Sequence, residues 1–394
     1  MRVTFIARDC RRSGGVGSYL SRVAQAMIAR GDTVQIVHED PQPALSPGAE
    51  GVFVEGCTTY GLSPAVAEEA TRATLDAIRA FGPDIVHVQD GNNFVVEAAI
   101  RSRYPAVKSL HVYDFCPSNT KYHHAGDAVC THRTSAMCLP RLGARRCTTS
   151  RRPSVWLGLY RRAVAANEHN AGYEALIVAS EYVRQQAIAT GYPSAQVRVV
   201  PYFVAPAAPA PPEPATILTA ARLVREKGVD LFLDALANVP RPWRAVIAGD
   251  GMERARLEAQ ARGLGLADAV TFTGWQDEAG MDALYRRASV VVMPSRWPEP
   301  SGILGLEAMA HARPVAAFAV GGIPEWLEDG VTGHSVPPGD ARGLGRAIQD
   351  LLADTARATR MGAAGRARVT AHFSAANHLA ALDAVYGSLT GPHR

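Results

Sequence analysis

Short apolar runs alternate with longer amphipathic stretches along the chain, and this alternation stops once and then starts again. Strands separated by helices pair in parallel, because the helix carries the chain back across the sheet and covers one face of it. The spacing predicts strands at Val3–Ala7, Thr33–Val37, Asp84–Val88, Val107–His111 and Ala175–Ala179, with a helix over Tyr19–Arg30 that Gly31-Asp32 stops. The interruption is Pro206-Ala207-Ala208-Pro209-Ala210-Pro211-Pro212-Glu213-Pro214, a composition that predicts an extended linker. Beyond it the pattern predicts strands at Thr216–Ala220, Ala245–Ala248, Val270–Phe272, Val290–Met293 and Pro314–Ala317, and helices at Val229–Ala237, Glu253–Arg262 and Ile303–His311. The expectation is two Rossmann-like, doubly wound α/β domains, residues 1–205 and 215–371, joined by a linker at 206–214. Open parallel sheets bind ligands at the carboxyl ends of their strands, so the two domains are expected to face each other across a ligand cleft.

Composition excludes several classes. With 47% hydrophobic and 20% charged residues, the chain of 394 residues can form a packed core and is not disordered. No apolar run approaches the ~18–20 residues that cross a bilayer. Met1–Ala7 is too short for a signal peptide and is followed at once by Arg8 and Asp9, so a cytoplasmic protein is expected. A net charge of +4 is too small to point to nucleic acid, and none is expected as a partner. Lysine occurs only at 108, 121 and 227, which singles out any lysine that falls in a motif.

Five loop motifs stand out, four of them as candidates for chemistry and Gly249-Asp250-Gly251 beside them. Ser13-Gly14-Gly15-Val16-Gly17 joins the first strand to the first helix. It is either a tight turn or a place where backbone meets a ligand beside a helix terminus. Glu39 and Asp40 after the second strand raise a dinucleotide site as the rival, but Leu20 stands where its third glycine belongs. Arg222-Leu223-Val224-Arg225-Glu226-Lys227-Gly228 opens the second domain just after a strand. Its cations Arg222 and Lys227 suit a diphosphate that gains charge as it departs. Glu299-Pro300-Ser301-Gly302-Ile303-Leu304-Gly305-Leu306-Glu307 puts a carboxylate on each side of a helix start. The N–H groups near Gly302, Ile303 and Leu304 carry the positive end of the helix dipole, and flanking carboxylates suit sugar hydroxyls. Gly321-Gly322-Ile323-Pro324-Glu325 and Gly249-Asp250-Gly251 each follow another strand. No Asp-x-Asp occurs, so a divalent metal held on the diphosphate by such a pair has no support.

These motifs, with Pro83-Asp84-Ile85-Val86-His87-Val88 and Ala221-Arg222-Leu223, together resemble a family 4 glycosyltransferase of GT-B architecture over nearly the full length. The resemblance implies retaining transfer from a nucleotide-diphosphate sugar, UDP-sugar being favoured and GDP-sugar the alternative, with no cofactor required for catalysis. It implies that Arg222 and Lys227 hold the diphosphate, Glu299 touches the sugar, Glu307 holds the ribose, His111 is the histidine near the reacting sugar, and Gly15 faces the donor phosphate or acceptor. It also implies that the final stretch, 372–394, crosses back onto the first, acceptor-side domain. Pro201-Tyr202-Phe203 departs from the Pro-Asn-Gly common in the family. The sequence leaves the acceptor open among a glycan, a lipid-linked molecule, a peptide and a small natural product. Two rivals stand beside this reading: a catalytically silent scaffold that binds sugar nucleotides, and an NAD-dependent oxidoreductase.

Two segments stand apart. Cys116, Cys130, Cys138 and Cys147, with His123, His124 and His132 among them, form a Cys-rich insertion. Structural zinc, an iron–sulfur cluster, disulfides and free thiols are the alternatives, zinc on the four cysteines being the one favoured. Arg141, Arg145, Arg146, Arg151, Arg152, Arg161 and Arg162 surround Trp156, Leu157, Leu159 and Tyr160. This stretch either rests on an anionic membrane, at its inner face, or is a helix packed on the first sheet with a solvated arginine face.

Overall fold

The computed structural model describes residues 1–8, 10, 15–205, 207–208 and 210–390. The chain divides into two compact units, Met1–Pro201 with Ala375–Arg394, and Tyr202–Ser374.

The first unit contains strands β1 (Arg2–Ala7), β2 (Thr33–His38), β3 (Glu50–Phe53), β4 (Ile85–Val88), β5 (Ala106–Ser109), the short hairpin β6–β7 (Tyr122–His123, Ala128–Val129), β8 (Leu176–Val178) and β9 (Val197–Val199). Its helices are α1 (Gly15–Arg30), α2 (Pro64–Phe81), α3 (Phe94–Arg101), α4 (Cys138–Ala144), α5 (Pro153–Asn170) and α6 (Glu181–Thr190). Seven strands form one sheet in the order β3-β2-β1-β4-β5-β8-β9, and every pairing in it is parallel. β4 and β5 are buried on both faces throughout, and β1 is from Val3 onward, as in a sheet covered on both sides. The helix ends follow local chemistry. Asn93 caps α3 by accepting from the Val96 N–H, Ser180 caps α6 through Val183, and Gly82 closes α2 in the left-handed conformation.

A buried charge cluster fastens α3 and α5 to this sheet. Lys108 on β5 is 2% exposed, and its Nζ lies 2.9 Å from Glu97 Oε2 on α3 and 2.8 Å from the Gly91 carbonyl. Glu97 also accepts from Tyr173 Oη at 2.7 Å and from His169 Nε2 of α5 at 3.1 Å. With so many donors around it, Glu97 titrates at about 2 despite its burial. A buried charge is tolerated only when it is paired and hydrogen-bonded in this way.

The second unit has β10 (Thr216–Ala220), β11 (Arg244–Ala248), β12 (Val270–Gly274), β13 (Val290–Met293), β14 (Val315–Phe318) and β15 (Gly333–Val336). Its helices are α7 (Val229–Leu236), α8 (Arg254–Gly263), α9 (Glu278–Arg287), α10 (Ile303–Ala310), α11 (Ala341–Ala353) and α12 (Thr355–His372). The sheet runs β12-β11-β10-β13-β14-β15, again parallel. The chain then returns to the first unit as α13 (Ala375–Thr390), which packs on α1. In both sheets the order reverses once, between β1 and β4 and between β10 and β13. Loops leaving the carboxyl ends of those strand pairs are where such a sheet binds ligands.

The Pro/Ala run is not a free linker. The units divide at Pro201/Tyr202, upstream of it. Ala207 N–H donates to the Ala310 carbonyl at 3.3 Å, Glu213 N–H to the Arg287 carbonyl at 2.9 Å, and the buried Arg313 donates to the Ala210 carbonyl. Proline supplies extended backbone whose carbonyls remain available, and here the second unit uses them. Pro206 and Pro209 themselves lie outside the described residues.

Candidate functional site

The loops after β10 and β13 flank the switch point of the second sheet, and they are knitted together. Arg296 N–H donates to the Glu226 carbonyl at 2.9 Å, and Arg296 makes a two-pronged ion pair with Asp230 of α7. Gly228, at φ +66°, lies so close to Pro294 that a Cβ would sit 1.8 Å from its carbonyl oxygen. This close approach brings Lys227 and Glu299 together. Lys227 Nζ lies 2.6 Å from Glu299 Oε1 and 4.9 Å from the Trp297 ring centre. Ser295 Oγ donates to the same carboxylate oxygen, and Glu299 is 7% exposed. Arg222, at the end of β10, is exposed, and its side chain makes no ion pair among the described residues.

Gly302 starts α10 at φ +77°. No side chain caps this terminus and no acidic residue lies in its first turn, so the N–H groups at Ile303 and Leu304 keep their positive end. Glu307, farther along α10, accepts from the Tyr285 hydroxyl at 2.8 Å. Behind the loop, Trp326 Nε1 donates to the Ser301 carbonyl at 2.6 Å, and the ring fills the space beside Gly305. Gly322 N–H donates to the Glu299 carbonyl at 2.8 Å. The Gly321–Glu325 motif therefore clamps the backbone that carries Glu299.

A Cβ on Gly321, at φ +59°, would lie 2.1 Å from Glu299 O and 2.4 Å from Glu299 N. Backbone atoms cannot swing aside as a side chain does. Gly321→Ala is expected to cost about 3 kcal/mol of stability and to abolish donor binding in calorimetry. Gly330→Ala is the control. That residue has φ +73° with nothing within 4 Å of a Cβ, so only backbone strain, about 1 kcal/mol, applies.

The first unit gathers histidines at its strand ends. His111, two residues beyond β5, is 8% exposed, and its Nε2 lies 2.9 Å from Gln89 Oε1. Tyr19 of α1 sets its ring edge-on to both His111, at 5.2 Å, and His378 of α13, at 5.5 Å. His378 Nδ1 is 2.7 Å from the Pro201 carbonyl, which can only accept, so Nδ1 carries the proton. The ring is buried and its pKa falls to about 4, so it is neutral and accepts from the Tyr19 hydroxyl on Nε2 at 3.1 Å. His87 lies fully buried between Tyr386 Oη at 2.6 Å and Ser109 Oγ at 2.8 Å. Gly15 begins α1 with open space where a Cβ would be, while Ser13 and Gly14 of the glycine turn lie outside the described residues. Glu39, the acid that raised the dinucleotide rival, accepts from Thr58 and Thr59.

The cysteines do not fit zinc. Among the described residues no three His, Cys, Asp or Glu side chains are arranged to hold a metal ion. Cys116, Cys130, Cys138 and Cys147 are free thiols, and no disulfide joins them. Cys130 follows the β6–β7 hairpin, Cys138 opens α4 and Cys147 follows it, so separate elements carry the four sulfurs. Cys147 Sγ takes His123 Nδ1 at 3.0 Å instead. The thiols still sense one another: burial, and then Cys130, Cys116 and Cys138, push Cys147 up to about 12. Sequence spacing alone also did not reveal Ser295, Trp326, Tyr19, Gln89 or His378. Of these, Trp326, directly after Gly321–Glu325, and Gln89, directly after Pro83–Val88, adjoin motifs.

The glycosyl transferases group 1 family matches residues 205–368, and the glycosyl transferase 4-like domain matches residues 14–202. A glycogen synthase of Mycobacterium tuberculosis is 39% identical over 166 residues, which span 41% of this chain and 39% of that protein. Sucrose-phosphate synthase from Thermosynechococcus elongatus superposes with a TM-score of 0.76 at 23% identity over 99% of both chains. Anabaena HepE, in complex with UDP and glucose, gives 0.73 at 20% identity over 99% of this chain and 100% of its own. At these identities the two structures establish the fold. With both family matches in place over its two α/β units, the chain belongs to the glycosyltransferases of the group 1 and 4-like type, built on the GT-B fold.

Proposed function

We propose that the protein transfers a sugar, with retention of configuration, from a nucleoside-diphosphate sugar to a hydroxyl of a glycan, lipid-linked or small-molecule acceptor. The observation that carries this reading is the Lys227–Glu299 pair beside the uncapped start of α10 at the second sheet's switch point. Arg222, Lys227 and the N–H groups at Gly302, Ile303 and Leu304 bind the diphosphate. Glu299 holds sugar hydroxyls, and Glu307, oriented by Tyr285, holds the ribose. His111 and Gly15 belong to the first unit's side of the reaction. A UDP-sugar is the favoured donor, in keeping with the UDP and glucose bound by HepE, and a GDP-sugar is the alternative. In the reaction the bond from the anomeric carbon to the diphosphate oxygen breaks. The acceptor oxygen bonds to that carbon from the same face, and its proton passes to the departing phosphate. Lys227 and Arg222 supply the charge that a metal would otherwise supply.

Thermal shift with UDP, GDP, ADP and TDP, their sugars and NAD tests the donor site, since a ligand at 100 times its Kd stabilises by about 2.7 kcal/mol. One nucleoside diphosphate is expected to raise the midpoint, and Arg222→Ala to remove the rise. An α-linked donor is expected to give an α-linked product by NMR, in EDTA as well. An inverted product or loss of turnover in EDTA defeats the mechanism, and a shift with NAD alone defeats the assignment.

A lipid-linked acceptor has support of its own. Residues 128–167 contain eight arginines (133, 141, 145, 146, 151, 152, 161 and 162) and no lysine or acid. The stretch therefore carries +8, and the rest of the chain 4 − 8 = −4. None of the eight forms an ion pair among the described residues, and Met137, Val155 and Leu157 are exposed beside them. No described helix is long and apolar enough to cross a membrane, so contact here would be peripheral. The protein is expected to sediment with phosphatidylglycerol vesicles and not with phosphatidylcholine ones. At about 1 kcal/mol per arginine, Arg151→Ala with Arg152→Ala should weaken that partition roughly 30-fold.

A further inference from the structure

Gln89 directly follows β4, and its N–H donates at 2.9 Å to the carbonyl of Ile6 on β1. It thus sits at the switch point of the first sheet, where β1 and β4 part. The residue is 1% exposed. Its amide oxygen is engaged by His111 Nε2 at 2.9 Å, while its amide nitrogen is buried and has no hydrogen-bond partner among the described residues. Leaving such a donor unpaired costs about 1–3 kcal/mol, a cost folded proteins seldom carry without a use.

The two ends of the amide are coupled. An amide oxygen only accepts, so His111 must donate from Nε2, which leaves the lone pair of the neutral ring on Nδ1. Turning the amide over would put its NH2 against the ring and strand the oxygen instead. The hydrogen bond to His111 thus decides which end of Gln89 is left for a ligand. That end is a neutral double donor, suited to a hydroxyl oxygen and poorly suited to a cation. We infer that Gln89 is a substrate-contacting residue of the first unit: its oxygen fixes the tautomer of His111, and its nitrogen donates to a hydroxyl oxygen of a sugar. The inference rests on the transferase reading for its substrate class and on this geometry for its residue.

The test uses the full-length protein. Nitrogen-15 NMR of the imidazoles, without ligand, is expected to find His111 protonated on Nε2. Gln89→Leu should change the thermal midpoint little, because it removes one orphan donor while taking away the acceptor of His111 Nε2–H, and it should mix the His111 tautomers. The same variant should lower kcat/KM at least tenfold, through a rise in KM, with UDP-glucose or with the donor the screen identifies. Gln89→Glu is the second variant: it keeps an oxygen for Nε2–H and should show the same rise in KM. A rise seen in donor hydrolysis without acceptor assigns the hydroxyl to the donor sugar. A rise seen only with methyl α-glucoside added assigns it to the acceptor. A purely structural Gln89 would instead lose stability as leucine and keep its KM, and that result overturns the inference. A wild-type His111 protonated on Nδ1 also overturns it. If the wild type turns over no donor, the transferase reading fails, while the tautomer and the midpoint still judge the role of Gln89.

Discussion

Lys227→Ala is expected to slow transfer by ~10²–10³-fold, the usual loss when one preorganised charge donor is removed from a developing anion. The same change leaves Glu299 buried at 7% exposure with Ser295 as its remaining side-chain donor here, so stability should fall by about 3 kcal/mol. The two effects can be separated. Adding Glu299→Gln removes the uncompensated charge and keeps an oxygen for Ser295. Urea unfolding of the double variant should therefore recover most of the stability, while steady-state kinetics should recover none of the rate. If Lys227→Ala loses stability and keeps its rate, the ion pair is only structural and the diphosphate lies elsewhere.

Acid should destabilise the protein well above the carboxylate range. His111 and His378 each titrate at about 4, and His87 lies well below its ordinary value, all chiefly through burial. Around His87 the other two rings add repulsion. Each ring is harder to protonate folded than unfolded, so the unfolded chain takes up more protons as the pH drops. The contribution is whole above the unfolded value of 6.5 and is lost as pH falls from there toward 4. For His111 and His378 it amounts to roughly 3 kcal/mol each. Glu97 has the same sign in a lower window: its contribution is whole above 4.5 and is lost toward 2. Urea midpoints should decline from pH 6.5 downward, with a second fall below 4.5. A flat profile between pH 7 and 4.5 would show that these rings are not buried neutral.

Much of this arrangement is legible in the residues. The alternation of apolar runs gives both sheets, because a parallel strand buried on two faces has little choice of composition. Arg222, Lys227, Glu299 and Glu307 stand out because each lies at a fixed step from a strand end or a helix start, and the loops there keep that step. What escapes is whatever two distant segments make together. Ser295 and Trp326 reach the Glu299 loop from outside the motif, and two histidines draw on distant segments: Gln89 and Tyr19 meet at His111, Tyr19 and Pro201 at His378. The cysteines misled for the opposite reason: four thiols close in sequence lie before and after a short hairpin and at the start of and beyond a helix, and among the described residues no three metal-binding side chains are arranged around an ion. Likewise the prolines of the Pro/Ala run report backbone shape and not freedom, and neighbouring acceptors, with Arg313 as a donor, tie that backbone down.

The return of α13 to the first unit has a bearing on the order in which the molecule is made. Tyr202–Ser374 is one continuous stretch and can close its sheet as soon as it has left the ribosome. The stretch before it leaves earlier, yet lacks two buried partners: Tyr386 for His87 and His378 for Tyr19 and the Pro201 carbonyl. The unit begun first is thus completed after the second. Until α13 has been made, the nascent amino-terminal unit keeps the surface of α1 that α13 will cover, which is the stage at which a chaperone would have most to hold.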